Sequence, residues 1–503
     1  MKNNMISKII NSFLGLMLIS ASVWANNVQV TGVSRTGTSR NDIQFQLSWE
    51  NSWNFTNTPT NHDAVWVFIK YRECGLGGDW HHALLSTTMT DHSFGPNLTY
   101  AKPISVNDRF GNVGNHNTGV LIRRSTIGKG NISPQTIRLK VVGASNGVSL
   151  DPAKEFDIKV FAIEMVQVPA GEFYVGDGTS TYTIHKLGTG YGTPYGYIPH
   201  QITAEHSTDT IKYASFGSSS SNYTVALNSD FPKGYDEFYM MKYEITQGQY
   251  CDFLNTMAST AALNRVYIYN TTRYMYHITF SGEYYGNYPD RAMNHMSYND
   301  LLSYLDWAAL RPMTELEFEK ACRGPKDFVP SEYAWGTDTY IEAINFTGAV
   351  SGTEICTDSA ANLHCSGAYT YCYGGVFVGT NSSGPVEVGV FARDSTLSRE
   401  GTGGSYYAIM ELSGNVGEQC VQINISDEKP LAAPSPYTGI WGDGQLTADG
   451  LFNTSSWQTS GYFTVRGGSY GHHRTYSCVS DRGDRNNTNY NNRSAYLGGR
   501  GVR

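Results

Sequence analysis

Helix starts backed by a helical period occur at three places in this chain, and all three fall between Thr246 and Cys322. Thr246 with Gln249, Ser297 with Asp300 and Thr314 with Glu317 each set a capping hydroxyl three residues ahead of a side chain that reaches back to it. Apolar residues follow at helical spacing: Tyr250, Phe253 and Leu254; then Leu301, Leu302, Tyr304, Leu305 and Trp307; then Phe318, Ala321 and Cys322, before Gly324-Pro325 stops the last helix. The rest must fold as short strands and loops, which excludes a coiled coil or a helical bundle. Composition agrees, since only 16% of residues are charged, below the roughly 25% of an average soluble domain, and there are 53 glycines and 35 tyrosines. With 40% hydrophobic residues the chain still has enough apolar surface to offset ordering entropy, and 503 residues predict two to four domains.

From Asn27 to Ile163 the period is two, as in Ile43-x-Phe45-x-Leu47-x-Trp49, Val65-x-Val67, Ile137-x-Leu139-x-Val141 and Phe156-x-Ile158-x-Val160. With Gly, Asn, Ser and Thr clusters between the runs, this predicts an all-β sandwich over 26–163, serving as a spacer or docking module. Ahead of it, Lys2 and Lys8 precede a short apolar stretch from Ile9 to Ser20, and Val23-Trp24-Ala25 fits a cleavage site. Residues 1–25 therefore read as a signal peptide, and the apolar run is shorter than the ~20 residues a bilayer crossing needs. No other stretch reads as a membrane span. The mature protein is expected to be secreted, whether extracellular, periplasmic or on the cell surface, where its eight cysteines would persist as disulfides. No pair has C-x-x-C spacing, so a tetrathiolate zinc site is not expected.

The character changes at Met165-Val166-Gln167-Val168-Pro169-Ala170-Gly171-Glu172-Phe173. Beyond it come Tyr243-Glu244-Ile245-Thr246-Gln247, Arg311-Pro312-Met313-Thr314-Glu315-Leu316-Glu317-Phe318, Tyr333-Ala334-Trp335-Gly336, Glu411-Leu412-Ser413-Gly414-Asn415-Val416-Gly417-Glu418 and Arg466-Gly467-Gly468-Ser469-Tyr470. In this order the motifs resemble the formylglycine-generating enzyme family, also called sulfatase-modifying factors, over 164–503. The resemblance implies an α+β, loop-rich variant of the C-type lectin fold, here with loop insertions near 177–236 and 350–385.

Active members of that family oxidise a substrate cysteine with copper held by two thiolates spaced C-x4-C after the Gly-Gly-Ser. Two soft sulfurs are what a linear Cu(I) site requires. Here the corresponding positions fall on His472 and Ser477, and only Cys478 is near. The resemblance therefore implies a domain without the catalytic pair, and bound copper is not expected. Should activity persist, Ser469, His472, Tyr476 and Cys478 are the candidates. A different metal site from His472, His473 and Cys478 is the rival, since imidazole and thiolate both bind zinc or copper. By family analogy Cys478 would form a disulfide with Cys322, with Cys420 as competitor. Cys356, Cys365 and Cys372 lie close enough in sequence for a loop staple of unassigned pairing.

The resemblance also implies calcium, an oxygen-seeking cation. Glu411, Gly414, Val416 and Glu418 match one site, with Glu418 alternatively pairing an arginine in the core. Asn345 and the carbonyl of Phe346 match part of a second, whose other ligands stay unplaced.

Residues 466–503 hold seven Arg and no Lys against Asp481 and Asp484, a net +5, so the other 465 residues carry −13 of the total −8. A basic, tyrosine-bearing surface could attract an anionic partner, or its arginines could simply bond loop carbonyls. Tyr470, His472, His473, Arg474, Tyr476, Asp481, Arg482, Asp484, Arg485, Asn487, Tyr490 and Asn492 form the candidate ligand-binding set, mixing rigid rings with adaptable polar groups as binding loops do. The stretch from Gly471 to Ser494 also looks like the variable region of retroelement-diversified ligand-binding proteins, whose Asn-rich templates yield Asn, Asp, Ser, Tyr, Gly, His and Arg. A protein or glycan ligand is the expected partner; an acidic chain is not expected to bind nucleic acid. The ending Leu497-Gly498-Gly499-Arg500-Gly501-Val502-Arg503 departs from the family's Ile-Gly-Phe-Arg, which predicts looser packing there.

Other chemistry is thin. Gly188-Thr189-Gly190-Tyr191-Gly192 lacks the strand and helix of a phosphate loop, His200 and His206 read as exposed, and Glu315 and Glu317 belong to a helix start rather than to catalysis.

Overall fold

The computed structural model describes residues 27–503 except 76–78, 109–110, 112, 115, 145, 179–183, 188–196, 215–221, 268–274, 348–353, 359, 366–383, 393–397, 424–434, 458–462 and 483–489. The expected signal peptide, the Gly188 to Gly192 stretch, Cys372, Asp484, Arg485 and Asn487 lie outside the described residues.

Eight strands open the chain: β1 (Gln29–Thr36), β2 (Asp42–Asn54), β3 (Asp63–Glu73), β4 (His81–Leu85), β5 (Leu98–Tyr100), β6 (Val120–Arg124), β7 (Gly128–Ala144) and β8 (Phe156–Val168). β2 pairs β7 antiparallel from Asp42↔Lys140 to Asn54↔Gly128, and β3 pairs β8 along its whole length, from Asp63↔Val166 to Glu73↔Phe156. β4 bridges β7 and β3, so the path runs β1-β2-β7-β4-β3-β8 without a break. It then continues into the C-terminal half through Phe238–Met241, Gly501–Val502 and Arg311–Pro312, making one eleven-stranded sheet.

A free-standing sandwich ending at 163 is not what these strands form. The expected boundary falls inside β8, whose Met165 to Val168 pair with Phe238 to Met241. β3 explains why. Its Val65, Val67, Ile69 and Tyr71 join Ile43, Phe45, Leu47, Ile137 and Leu139 in one core, while its Ala64, Trp66 and Phe68 face a second core built on the helices. A strand apolar at consecutive positions is one covered on both faces.

Among the described residues the α-helices are α1 (Gln247–Leu254), α2 (Ser259–Arg265), α3 (Tyr298–Trp307), α4 (Glu315–Arg323) and the single-turn α5 (Arg399–Thr402). The capping boxes expected at Thr246, Ser297 and Thr314 are all formed, which satisfies N–H groups that a helix start otherwise leaves without partners. α2 has no such signal, since its N-cap Ala258 has no side-chain oxygen to accept a bond. The Trp307 ring at the end of α3 lies 5.1 Å from Phe68, 4.9 Å from Phe161 and 5.7 Å from Phe253, tying β3 and β8 to α1.

The final segment is not loose. Val502 pairs both Met240 and Arg311. A Cβ on Gly501 would come within 2.3 Å of the Leu305 side chain, so a larger residue there would need Leu305 to move. His200, read as exposed, is buried, with its Nε2 held 2.6 Å from Asp209. No helix among the described residues is long and apolar enough to cross a membrane.

Candidate functional site

The loop from Arg466 to Arg482 is fixed at both ends by one helix. Arg466 reaches Glu315 at 3.3 Å and Glu319 at 2.5 Å, and Arg482 binds Glu315 with two nitrogens at 2.7 and 3.0 Å. The same helix closes a third pair, with Arg311 bidentate on Glu317 at 2.6 and 2.8 Å, and all of these groups are wholly buried. Glu315 and Glu317 are therefore structural, as the helix-start reading held. Gly467 and Gly468 take φ of +80° and +64°, and a Cβ on Gly468 would lie 2.6 Å from Ser477 Oγ, so the turn needs glycine for both conformation and approach.

Past the turn, Ser469 Oγ lies 3.0 Å from His472 Nδ1 and accepts the Gly471 N–H at 3.3 Å. The His472 ring sits 5.5 Å from Tyr476 and 5.3 Å from Tyr496, and burial pushes its imidazole down to about 4, so it is neutral at physiological pH. His473 caps the short 3₁₀ turn Arg474–Ser477, its Nδ1 3.0 Å from Thr475 Oγ1. Ser477, one of the two positions where the family's thiolates would stand, is wholly buried, and its carbonyl accepts from Ser413 at 2.7 Å.

Cys478 does not approach Cys322 or Cys420. Those two share one core cluster, whereas Cys478 packs with Tyr333, Trp335, Leu363 and Cys365 in another. Burial, with Asp481 nearby, pushes its thiol up to about 12. No disulfide joins any two described cysteines. Cys365 is the residue that sequence spacing missed; it comes from a different loop, and no local pattern links it to Cys478. The rival His472, His473 and Cys478 metal site is not assembled, because among the described residues no three His, Cys, Asp or Glu side chains converge as ligands.

The ligand-binding set divides. Tyr470 is buried, donating its hydroxyl to Ala495 O at 3.1 Å, and Arg482 is the internal partner of Glu315. Arg474, Tyr476, Asp481 and Tyr490 are half-buried and Asn492 is exposed. Arg474 stacks 5.1 Å from the Tyr340 ring. Thus the +5 of the segment is mostly interior charge: Arg466, Arg482 and Arg500 are wholly buried, and Arg493 is bidentate on Asp300 at 2.6 and 2.8 Å. Among the described residues the segment therefore presents little basic surface, with Arg474 half-buried.

The calcium set divides too. Glu418 gives both oxygens to Arg500 at 2.8 Å, so its charge is already met and it does not fit a cation site. Glu411 does fit: its backbone is left-handed (φ +52°), its carboxylate is buried with the Gly389 backbone N–H beside it, and burial raises its carboxyl to about 7. The N–H of Val416 donates to Glu244 at 3.1 Å, while Gly414 turns at φ +92°. Asn345 meets Asp358, which accepts its side-chain amide at 2.7 Å and its backbone N–H at 2.7 Å, beside Phe346. Asp358 was not placed from sequence, being a lone acid inside the insertion.

Against this geometry the chain matches the model of the sulfatase-modifying factor enzyme 1-like domain over residues 151–503. The chain belongs to that family. The match begins thirteen residues before the expected boundary at 164, ahead of β8. The architecture of this family member is mixed α+β, rich in sheet with few helices. Among solved structures, Treponema denticola variable protein 1 is similar at 14% identity, with 68% of this chain and 95% of that chain covered and a TM-score of 0.32. No curated protein matches the chain.

Proposed function

We propose that this sulfatase-modifying-factor-like protein is a secreted ligand-binding module that lacks the family's copper oxidase chemistry. The observation that carries the reading is the state of Ser477 and Cys478. One is a buried hydroxyl, and the other is a thiol held neutral in an aromatic pocket, whereas copper capture needs thiolates at the loop. The binding face is the rim formed by Arg474, Tyr476, Asp481, Tyr490 and Asn492, with protein or glycan as the ligand class. The residue mixture from Gly471 to Ser494 supports a diversified variable region, checked by finding a near-identical template repeat and a reverse transcriptase beside the coding sequence.

One observation favours the alternative, a formylglycine-generating oxidase. Cys365 brings a second sulfur to the Cys478 cluster. Copper(I) titration joined to a peptide-oxidation assay separates the two. The expected result is no stoichiometric copper and no oxidised peptide; turnover that disappears in Cys478→Ser would establish the oxidase.

Calcium is proposed in a structural role, held by Glu411 with the carbonyls of Gly414 and Val416, and by Asn345 and Asp358 with the carbonyl of Phe346. An ion there would supply positive charge to a carboxyl that burial otherwise disfavours. Chelator is expected to lower the melting temperature and to do so less in Glu411→Gln. An unchanged melting curve removes calcium from the proposal.

A further inference from the structure

Where the first strands meet the C-terminal half there is a cavity of about 450 Å³, within the roughly 300–1,000 Å³ of small-molecule sites. Trp66, Asn107, His116, Tyr239, Trp441 and Arg503 are among its walls. The Arg503 guanidinium lies between two indoles, 4.1 Å from the Trp66 ring and 4.2 Å from that of Trp441. Its Nη1 donates to Ala309 O and its Nη2 to His116 O, the latter at 2.8 Å.

No carboxylate among the described residues pairs with it, unlike Arg311, Arg466, Arg482, Arg493 and Arg500. Burial alone pushes its pKa down to about 9. A buried charge without its counterion is costly to keep, and here the protein also keeps two more polar atoms unsatisfied beside it. Trp441 Nε1 and His116 Nδ1 are both covered and without a hydrogen-bond partner. The Arg503 guanidinium and these two atoms thus belong to residues that line one cavity.

The remaining wall residues narrow the ligand. Glu237 is met by Lys102 at 2.6 Å and by Gln167 at 2.6 Å, and Asp236 lies 3.4 Å from His206. Asp108 is buried in the same wall. Lys102 and Arg311 line the cavity too but already meet Glu237 and Glu317, so Arg503 is the wall cation left without a carboxylate among the described residues, and one unpaired cation favours a single negative charge over a dianion. The wall acids and Asn107 offer acceptors to hydroxyl groups. We propose that this cavity binds the carboxylate of an acidic sugar, with Arg503 and the Trp441 N–H as its donors.

Calorimetric titration of the full chain with glucuronate, glucose and inorganic phosphate tests this. Glucuronate is expected to bind saturably, with glucose and phosphate at least ~10-fold weaker, as a site with unpaired buried donors rejects ligands that cannot fill them. Arg503→Met should weaken glucuronate binding by about 100-fold or more while raising the melting temperature, since the apolar stem stays between the indoles and the uncompensated charge is gone. Trp441→Phe keeps the ring and removes the N–H, and should cost about 10-fold in affinity. Should Arg503→Met not fold, Trp441→Phe carries the test. No glucuronate binding, equal binding of glucose or phosphate, or an affinity unchanged in the folded variants overturns the proposal.

Discussion

Replacing Glu315 with alanine is expected to lower the unfolding free energy by about 3–5 kcal/mol, the usual cost of leaving a buried charge without its partner. Glu315 is the common acceptor of Arg466 and Arg482, and its Oε1 also takes the Ile423 N–H at 2.9 Å. Alanine would take this carboxylate from two wholly buried guanidinium groups, and the Glu319 that Arg466 keeps already accepts from Gly176, Ser480 and Arg323. Glu315→Gln retains an oxygen for Ile423 and should lose less. The double variant Glu315→Leu with Arg482→Met should recover part of the loss, because an apolar pair of similar volume is often no worse than a buried ion pair. Urea unfolding of the three variants reads the order directly. A loss below about 1 kcal/mol for Glu315→Ala would show that the pair is not what holds the loop.

The same residues show what a sequence can and cannot carry. The capping boxes at Thr246, Ser297 and Thr314 were legible because each is a bond between residues three apart, decided locally. The acids of α4 were legible only as part of such a box. That Glu315 and Glu319 face inward onto Arg466 and Arg482 is set by contacts about 150 residues away in the chain, which is why a count of arginines read as a surface charge. Cys478 is a similar case: adjacency in sequence pointed to no second sulfur, and the fold brings Cys365 from elsewhere. β3 differs, since its two-faced burial was written in Ala64-Val65-Trp66-Val67-Phe68 and was obscured by attending to the alternation in Val65-x-Val67 alone.

That two-faced strand leads to the second large effect. Trp307→Ala is expected to cost about 3–5 kcal/mol and to destabilise the first 150 residues and the C-terminal half together. The indole touches Phe68 of β3 edge-on at 90°, Phe161 of β8 at 65°, and Phe253 of α1, and it donates Nε1–H to Thr256 Oγ1 at 2.7 Å. Truncation therefore leaves a cavity at the junction and removes the bond that the Thr256 hydroxyl accepts, while its own bond to Phe253 O at 3.1 Å remains. Trp66 Nε1 bonds Ala308 O at 2.8 Å one residue further on, and Lys70 Nζ bonds Gly444 O at 2.6 Å, so the junction is polar as well as apolar. A cavity there weakens contacts of both halves at once. Thermal unfolding followed by tryptophan fluorescence and by far-ultraviolet dichroism should keep a single coincident transition, shifted downward. Two separated transitions, with the early strands melting at the parental temperature, would mean that the continuous sheet does not couple the halves and that the N-terminal strands stand alone after all.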